Sequence, residues 1–294
     1  MQVAMKDVEK NDQGLFPGHI WHENGQSSYF GDLLTLYKRL DSLFLSWASD
    51  FKAEEYSFPS AIKTSELNKM DYFRSFPHLV TFPASLQDDP SNLKRFSESP
   101  LGKDGVVQLT EVQPIRDVLT PAACYHFYVN FQNEDLQEAR YVTTRCTCYR
   151  RENHYLPLQR QWCFSMREIV CIGTEAEVTS FLKENETKVS AFFDEIGLAI
   201  KFENASDPFF EPIKNPQFIY QKLNPVKTEM IFGGKLAIGS TNFHRSHFGG
   251  AFKITRAGTE AYSGCVAFGI DRWIYAWIKT FGRDPAAWPK LPIA

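Results

Sequence analysis

A chain of 294 residues with a net charge of −3 and an apolar share of 43% holds enough non-polar side chains for a substantial core. That balance, without a dense Lys/Arg stripe, excludes a general electrostatic grip on nucleic acid. The six cysteines suggest no disulfide framework, the N-terminus (MQVAMKDVEKNDQGLF) lacks an apolar signal region, and no run of about 18 apolar residues suggests a membrane span, so a cytoplasmic protein with reduced thiols is expected.

Residues 1–28 are polar and irregular and read as an arm or an edge strand, so that 1–30 is set apart as an N-terminal arm and 31–294 as a single domain. From Asp32 to Phe51 the apolar positions Leu33, Leu36, Tyr37, Leu40, Leu43, Phe44 and Trp47 recur at helical spacing. Tyr56–Pro59 reads as a short extended piece, since the residue before a proline is pushed out of the α region, and a helical SELNKMDYF follows. Residues 86–105 are polar and broken by Pro and Gly, which predicts a surface loop. Leu119–Val129 (LTPAACYHFYV) reads as a strand carrying Cys124, and a free cysteine in such a strand is most often buried filler.

Arg145–Cys171 reads as two strands joined by a polar loop, Asn153–Gln159. Alternation would set Arg150 and Glu152 on one face of the first strand. It would set Arg160, Trp162, Phe164, Met166 and Glu168 on one face of the second. Such charges can be solvated cross-strand pairs; they can equally floor a site for a flat, charged ligand. Thr174–Ile196 is helical by period, with Gly197 as its stop. The block from FENASDPFF through KLAIGSTNFHRSHFGGAFKI reads as strands and turns, with Lys227, Glu229, Asn242 and His244 as polar residues among strand neighbours. The last signal is GCVAFGIDRWIYAWIKTFG, a strand flanked by Gly264 and Gly269 and a helix opened by Asp271 with Arg272 in its first turn, where an anion is favoured.

The order Y-R-x-E, loop, R-x-x-x-F-x-x-x-E, and then G-x-D-R before a helix resembles motifs 2 and 3 of the class II aminoacyl-tRNA synthetases. The first helix with Tyr56–Pro59 is similar to their motif 1, which builds a dimer interface. This resemblance implies an α+β fold, an antiparallel sheet flanked by helices, working as a homodimer. It implies that Arg150 grips the ATP α-phosphate and the amino acid carboxylate. Glu152 then contacts the adenine side, Phe164 stacks on the adenine, Arg160 lies near the outer phosphates and Arg272 holds the γ-phosphate.

One branch, resembling the methanogen-type seryl-tRNA synthetases, holds zinc with a Cys before motif 2, the Glu ending motif 2 and a Cys before motif 3. Cys124, Glu168 and Cys265 stand at those places, which implies a Zn²⁺ site open to the substrate's amine; Cys146, Cys148, Cys163 and Cys171 match none and are assigned to the core. The segments LTPAACYHFY, RRE, FSMREIV, STNFHRSHFG and GCVAFGIDRW look like the amino acid:[carrier protein] ligases, synthetase-like cores without a tRNA-binding domain. The resemblance thus implies ATP- and Mg²⁺-dependent activation of a small amino acid, glycine or alanine favoured, and transfer to a carrier protein's phosphopantetheine thiol, with no tRNA or membrane partner. Glu229 and Asn242 are expected in the substrate pocket, Glu229 also as the carboxylate for Mg²⁺. Two other readings are tRNA charging with a tRNA-binding part on another chain, and a non-catalytic regulatory paralogue. The intact Arg150, Glu152, Arg272 and zinc triad argue against the second.

Overall fold

The computed structural model describes residues 16–214, 219, 222 and 225–292. Of the two alternatives for the N-terminal segment, its described part takes the strand form: β1 (His19–His22) and β2 (Gln26–Tyr29) make an antiparallel hairpin. Gly25 closes the turn with φ 87°, and a Cβ there would come within 2.8 Å of the Tyr155 ring, so the turn requires glycine on two counts. Residues 1–15 of the expected arm lie outside the described residues.

Helix α1 (Gly31–Ser49) follows, burying Leu33, Leu36, Leu40, Leu43, Phe44 and Trp47 as its period requires. β3 (Glu54–Tyr56), β4 (Ala61–Lys63) and the short helices α2 (Thr64–Lys69) and α3 (Tyr72–Ser75) come next. The predicted loop 86–105 contains a helix, α4 (Pro90–Glu98). Asp89 caps it by accepting from the backbone N–H groups of Ser91 and Asn92, and Pro90 opens its first turn. The predicted strand Leu119–Val129 is also corrected: β5 (Asp117–Leu119) ends at its start, and α5 (Tyr125–Asn130) takes the rest, with Cys124 at the helix N-cap.

After β6 (Asp135–Leu136) come the long strands β7 (Arg140–Tyr149) and β8 (Cys163–Gly173). They pair from Arg140↔Ile172 to Tyr149↔Cys163, so Arg150, Glu152, Arg160 and Trp162 belong to the connection rather than to the strand faces. Helix α6 (Glu175–Ile196) starts in a reciprocal Thr174/Glu177 capping box and stops at Gly197, φ 72°. β9 (Ile200–Asn204), β10 (Lys227–Phe232) and β11 (Leu236–Arg245) follow. The expected all-strand block is interrupted by α7 (His247–Phe252), then β12 (Thr255–Arg256) and β13 (Thr259–Glu260), and part of QKLNP lies outside the described residues. β14 (Tyr262–Gly269) and α8 (Ile270–Phe281) complete the core.

Among the described residues seven strands form the main sheet in the order β3-β7-β8-β14-β11-β10-β9, antiparallel except for the β3–β7 pair. One face is dry: Ile169, Cys171, Val266 and Phe268 pack with Phe44 and Trp47 of α1, Phe181 and Phe192 of α6, and Trp273 and Trp277 of α8. Truncating a fully buried aromatic such as Phe44 would remove about 3–5 kcal/mol. The alternate residues Phe164, Met166, Glu168, Cys265 and Ala267 point to the other face and line a cleft. A register shift between Met230 and Ile231 leaves Ile238 as an extra residue on β11, so that Ala237 and Ser240 can both line that cleft. Among the described residues no helix is long and apolar enough to cross a membrane, and all six cysteines are free.

Candidate active site

The cleft has a volume of about 260 Å³. Of the ten residues singled out in the sequence, Cys124, Arg150, Glu152, Phe164, Glu168, Glu229, Asn242, Cys265 and Arg272 line it. Arg160 does not: it sits at the rim with Nη1 2.9 Å from Glu152 Oε2, a half-exposed ion pair of the kind the bland reading anticipated.

At one end, the ligand atoms of Cys124, Glu168 and Cys265 lie within 4.8 Å of one another and all three residues are buried. They converge from the start of α5, from β8 and from β14. The Ala123 N–H donates to Glu168 Oε1 at 3.0 Å, which fixes the carboxylate against the α5 start. Two thiols and one carboxylate are a donor set suited to zinc, with a fourth position left over. The Cys124 thiol is raised well above its ordinary range by its hydrogen bond to Cys265, by burial and by the Glu168 charge. For Cys265 the hydrogen bond from Cys124 pulls down, but burial and Glu168 outweigh it and the net direction is also up. Burial and the Glu168 charge thus favour the thiol forms, and a metal entering would displace their protons. Asn242 Nδ2 donates to Cys265 Sγ at 3.4 Å and to Ser240 Oγ at 3.0 Å, so Asn242 touches the triad directly.

At the other end, cations and an aromatic ring face each other. Arg150 Nε donates to Pro121 O at 2.8 Å, and its guanidinium stands 5.2 Å from the Phe164 ring centroid. Arg272 is held by two carbonyls, Gln159 O at 2.7 Å from Nε and Ala237 O at 2.8 Å from Nη1. Its pKa falls to about 10 through burial and the nearby charges of Arg150 and Arg160. Like charges held together in a partly buried cleft define a place for a polyanion, which would relieve their repulsion.

Several residues here were not assigned from sequence. Asp271, expected only to open α8, is buried; it accepts from the Tyr29 hydroxyl of β2 and, at 2.7 Å, from the Ser165 N–H of β8. Burial raises its pKa, while these donors hold it down. Lys227 bridges Asp207 (3.1 Å) and Glu229 (3.2 Å); burial lowers its pKa but the two carboxylates prevail, and the net direction is up. Tyr72 and Tyr125 close the wall beside Arg150. Asn24-Gly25, a hairpin turn signal, could have revealed the β1–β2 piece that carries Tyr29. Nothing local marks Asp207 or Tyr72.

Residues 113–281 match the model of the tRNA synthetase class II core domain (G, H, P, S and T). The amino acid–[acyl-carrier-protein] ligase 1 of Bradyrhizobium diazoefficiens is 33% identical over 87% of this chain and 79% of its own length. A second such ligase from the same organism is 30% identical over 92% and 83%. The type-2 serine–tRNA ligase of Methanothermobacter thermautotrophicus is 24% identical over 93% of this chain but only 56% of its own. Among solved structures, the M. kandleri SerRS in complex with A. aeolicus tRNASec aligns with a TM-score of 0.78 at 20% identity, over 92% of this chain and 56% of that one. The Cryptosporidium parvum prolyl-tRNA synthetase complexed with halofuginone and AMPPNP aligns at 0.65 and 12%, over 90% of this chain and 50% of that one. The chain thus spans about half the length of the solved structures it matches.

Proposed function

This chain belongs to the class II tRNA synthetase core family, with the amino acid–[acyl-carrier-protein] ligases among its relatives, and from that we propose that it activates a small amino acid with ATP and passes it to the phosphopantetheine thiol of a carrier protein. One observation carries the reading: a Cys/Glu/Cys triad suited to a metal at one end of a single cleft and a cationic, aromatic end at the other.

The amino acid carboxylate is ionised at neutral pH and is its own nucleophile, so no general base is required for the first step. Arg150, at the cationic end, orients it against the α-phosphate. An oxygen–phosphorus bond forms, the bond from the α-phosphorus to the bridging oxygen breaks, and pyrophosphate leaves. Arg150 and Arg272 are already partly buried and fixed by carbonyls, so their charge opposes the negative charge on the phosphates with little reorganisation. Phe164 receives the adenine and Glu152 its edge, while Arg160 turns from Glu152 to the outer phosphates. In the second step the carrier thiol, having given its proton to solvent, attacks the adenylate carbonyl as thiolate; a carbon–sulfur bond forms, the carbonyl carbon's bond to the phosphate oxygen breaks and AMP departs.

Cys124, Glu168 and Cys265 would hold zinc, which when bound supplies a Lewis-acidic position for the substrate's unprotonated amine. Magnesium is bound through one or two carboxylates plus substrate phosphates, and Glu229, opposite Ser240 in the cleft, is the carboxylate for that role. Glycine or alanine is the favoured substrate by the resemblance to the amino acid–[acyl-carrier-protein] ligases. A homodimer belongs to the same reading: the exposed apolar Leu101, Val106, Val107 and Leu109 are side chains a second copy would cover, and a monomeric mass by light scattering would count against it.

The test offers the protein, ATP, Mg²⁺ and each labelled small amino acid both bulk tRNA and a phosphopantetheinylated carrier protein. Hydroxylamine-labile label on the carrier is the expected result. Label on tRNA instead would favour the serine–tRNA ligase relationship, and no label with no pyrophosphate exchange would favour a regulatory protein.

A further inference from the structure

The triad's third ligand has a neighbour, His244, that the reaction does not otherwise use. Cys265 Sγ receives the Asn242 Nδ2 donor at 3.4 Å and lies 3.6 Å from His244 Nε2. The other imidazole nitrogen, Nδ1, lies 3.1 Å from the Tyr128 hydroxyl and 3.2 Å from the Ser263 hydroxyl, both on buried residues. The ring itself is wedged edge-on against Phe248, centroids 4.9 Å apart, so it cannot turn away without opening the wall.

We propose that His244 is a positioning residue for the metal centre, donating its Nε2–H to the Cys265 sulfur while Nδ1 accepts from Tyr128 or Ser263. The inference rests on the zinc reading above. A metal-bound cysteine is a thiolate and can only accept, so the nitrogen facing it must carry the hydrogen. That tautomer leaves Nδ1 as an acceptor, and Nδ1 faces two hydroxyls able to donate. The surroundings thus supply what the thiolate needs on both sides of the ring. Two N–H donors on one buried sulfur stabilise its negative charge, restrain its direction and lower its electron donation to a metal. Cys124 receives no such pair of nitrogen donors among the hydrogen bonds of the described residues, so the two sulfurs are inequivalent.

The test is made on the full chain with zinc affinity measured by chelator competition, and with the sulfur-to-metal charge-transfer band of the cobalt-substituted protein. His244→Leu should weaken zinc roughly ten- to a hundredfold. It should also move the cobalt band to longer wavelength, because an unshielded thiolate gives up an electron more easily. His244→Gln, whose Nε2 donor reaches a similar point, should recover most of both. Tyr128→Phe should give a smaller shift in the same direction, and it guards against His244→Leu misfolding. A His244→Leu protein that melts like the parent, binds zinc as tightly and leaves the band unmoved would overturn the role of His244 alone. A parent protein that binds no zinc would overturn the zinc reading together with it.

Discussion

Tyr29→Phe isolates one hydroxyl that ties the N-terminal hairpin to the catalytic cleft. Asp271 is only 4% exposed, and its two oxygens are satisfied by the Tyr29 hydroxyl and by the Ser165 N–H. The substitution keeps the Tyr29 ring and its stacking on Tyr37 (5.4 Å) and His19 (5.8 Å), so only the donor is lost. A buried carboxylate left short of a partner should destabilise the fold by about 1–3 kcal/mol. The sign of the pH dependence follows from the raised pKa of Asp271. A carboxyl whose folded pKa lies above its unfolded value favours the fold at low pH and loses that contribution as pH rises through the folded pKa. Removing the hydroxyl raises that pKa further, so the deficit should be largest at neutral pH and shrink on acidification. Urea denaturation of both proteins at pH 7.5 and stepwise lower values measures it. Because Asp271 immediately precedes Arg272, the KM for ATP should rise more than kcat falls. A deficit under about 0.5 kcal/mol at pH 7.5 would refute the idea that this hydroxyl satisfies a charged group.

Two further outcomes are expected. Cys124→Ala or Cys265→Ala should abolish metal binding and amino acid activation while ATP still binds, as equilibrium dialysis and pyrophosphate exchange would show; full activity in either would sink the triad. His126 is buried, 2.9 Å from Thr120 Oγ1 and stacked on Phe58, and burial pushes its pKa down to about 4. Its folded pKa lies below the unfolded 6.5, so the unfolded chain gains a proton first and stability falls between pH 6.5 and 4, by at most about 1.4 kcal/mol per pH unit. His126→Gln should flatten that part of the stability profile; an unchanged slope would show the imidazole to be titrating freely.

The cleft was legible from sequence where chemistry is local and the pattern is regular. Arg150, Glu152, Phe164 and Glu168 sit on one hairpin, and Gly269, Asp271 and Arg272 on one strand-to-helix junction, so a short window holds each group. Helices α1 and α6 were legible because one face is buried and one is wet. The failures have physical reasons. In α4 the buried anchor is Asn92, whose amide donates to Gln87 O and Glu111 O and accepts from the Glu111 N–H, so no apolar period appears. In α5 the consecutive residues His126, Phe127 and Tyr128 are all buried, and a run buried at successive positions shows no periodicity to distinguish helix from strand. Asp207, Tyr29 and Ser263 reach the cleft or its supports only through tertiary contacts. His244 was visible as a polar residue on a strand, but its partners lie on α5 and β14.

The position of β14 also bears on how the chain is made. It is the strand between β8 and β11, yet it is synthesised after both. Until it emerges, β8 and β11 each present an unpaired edge, and the apolar residues that will meet Val266 and Phe268 have no lid. Cys265 arrives with the same strand, so the segment that seals the sheet also supplies the last sulfur of the triad. A nascent chain stalled before Tyr262 therefore has neither a closed core nor a complete metal site, and its two bare edges make it prone to associate with other such chains.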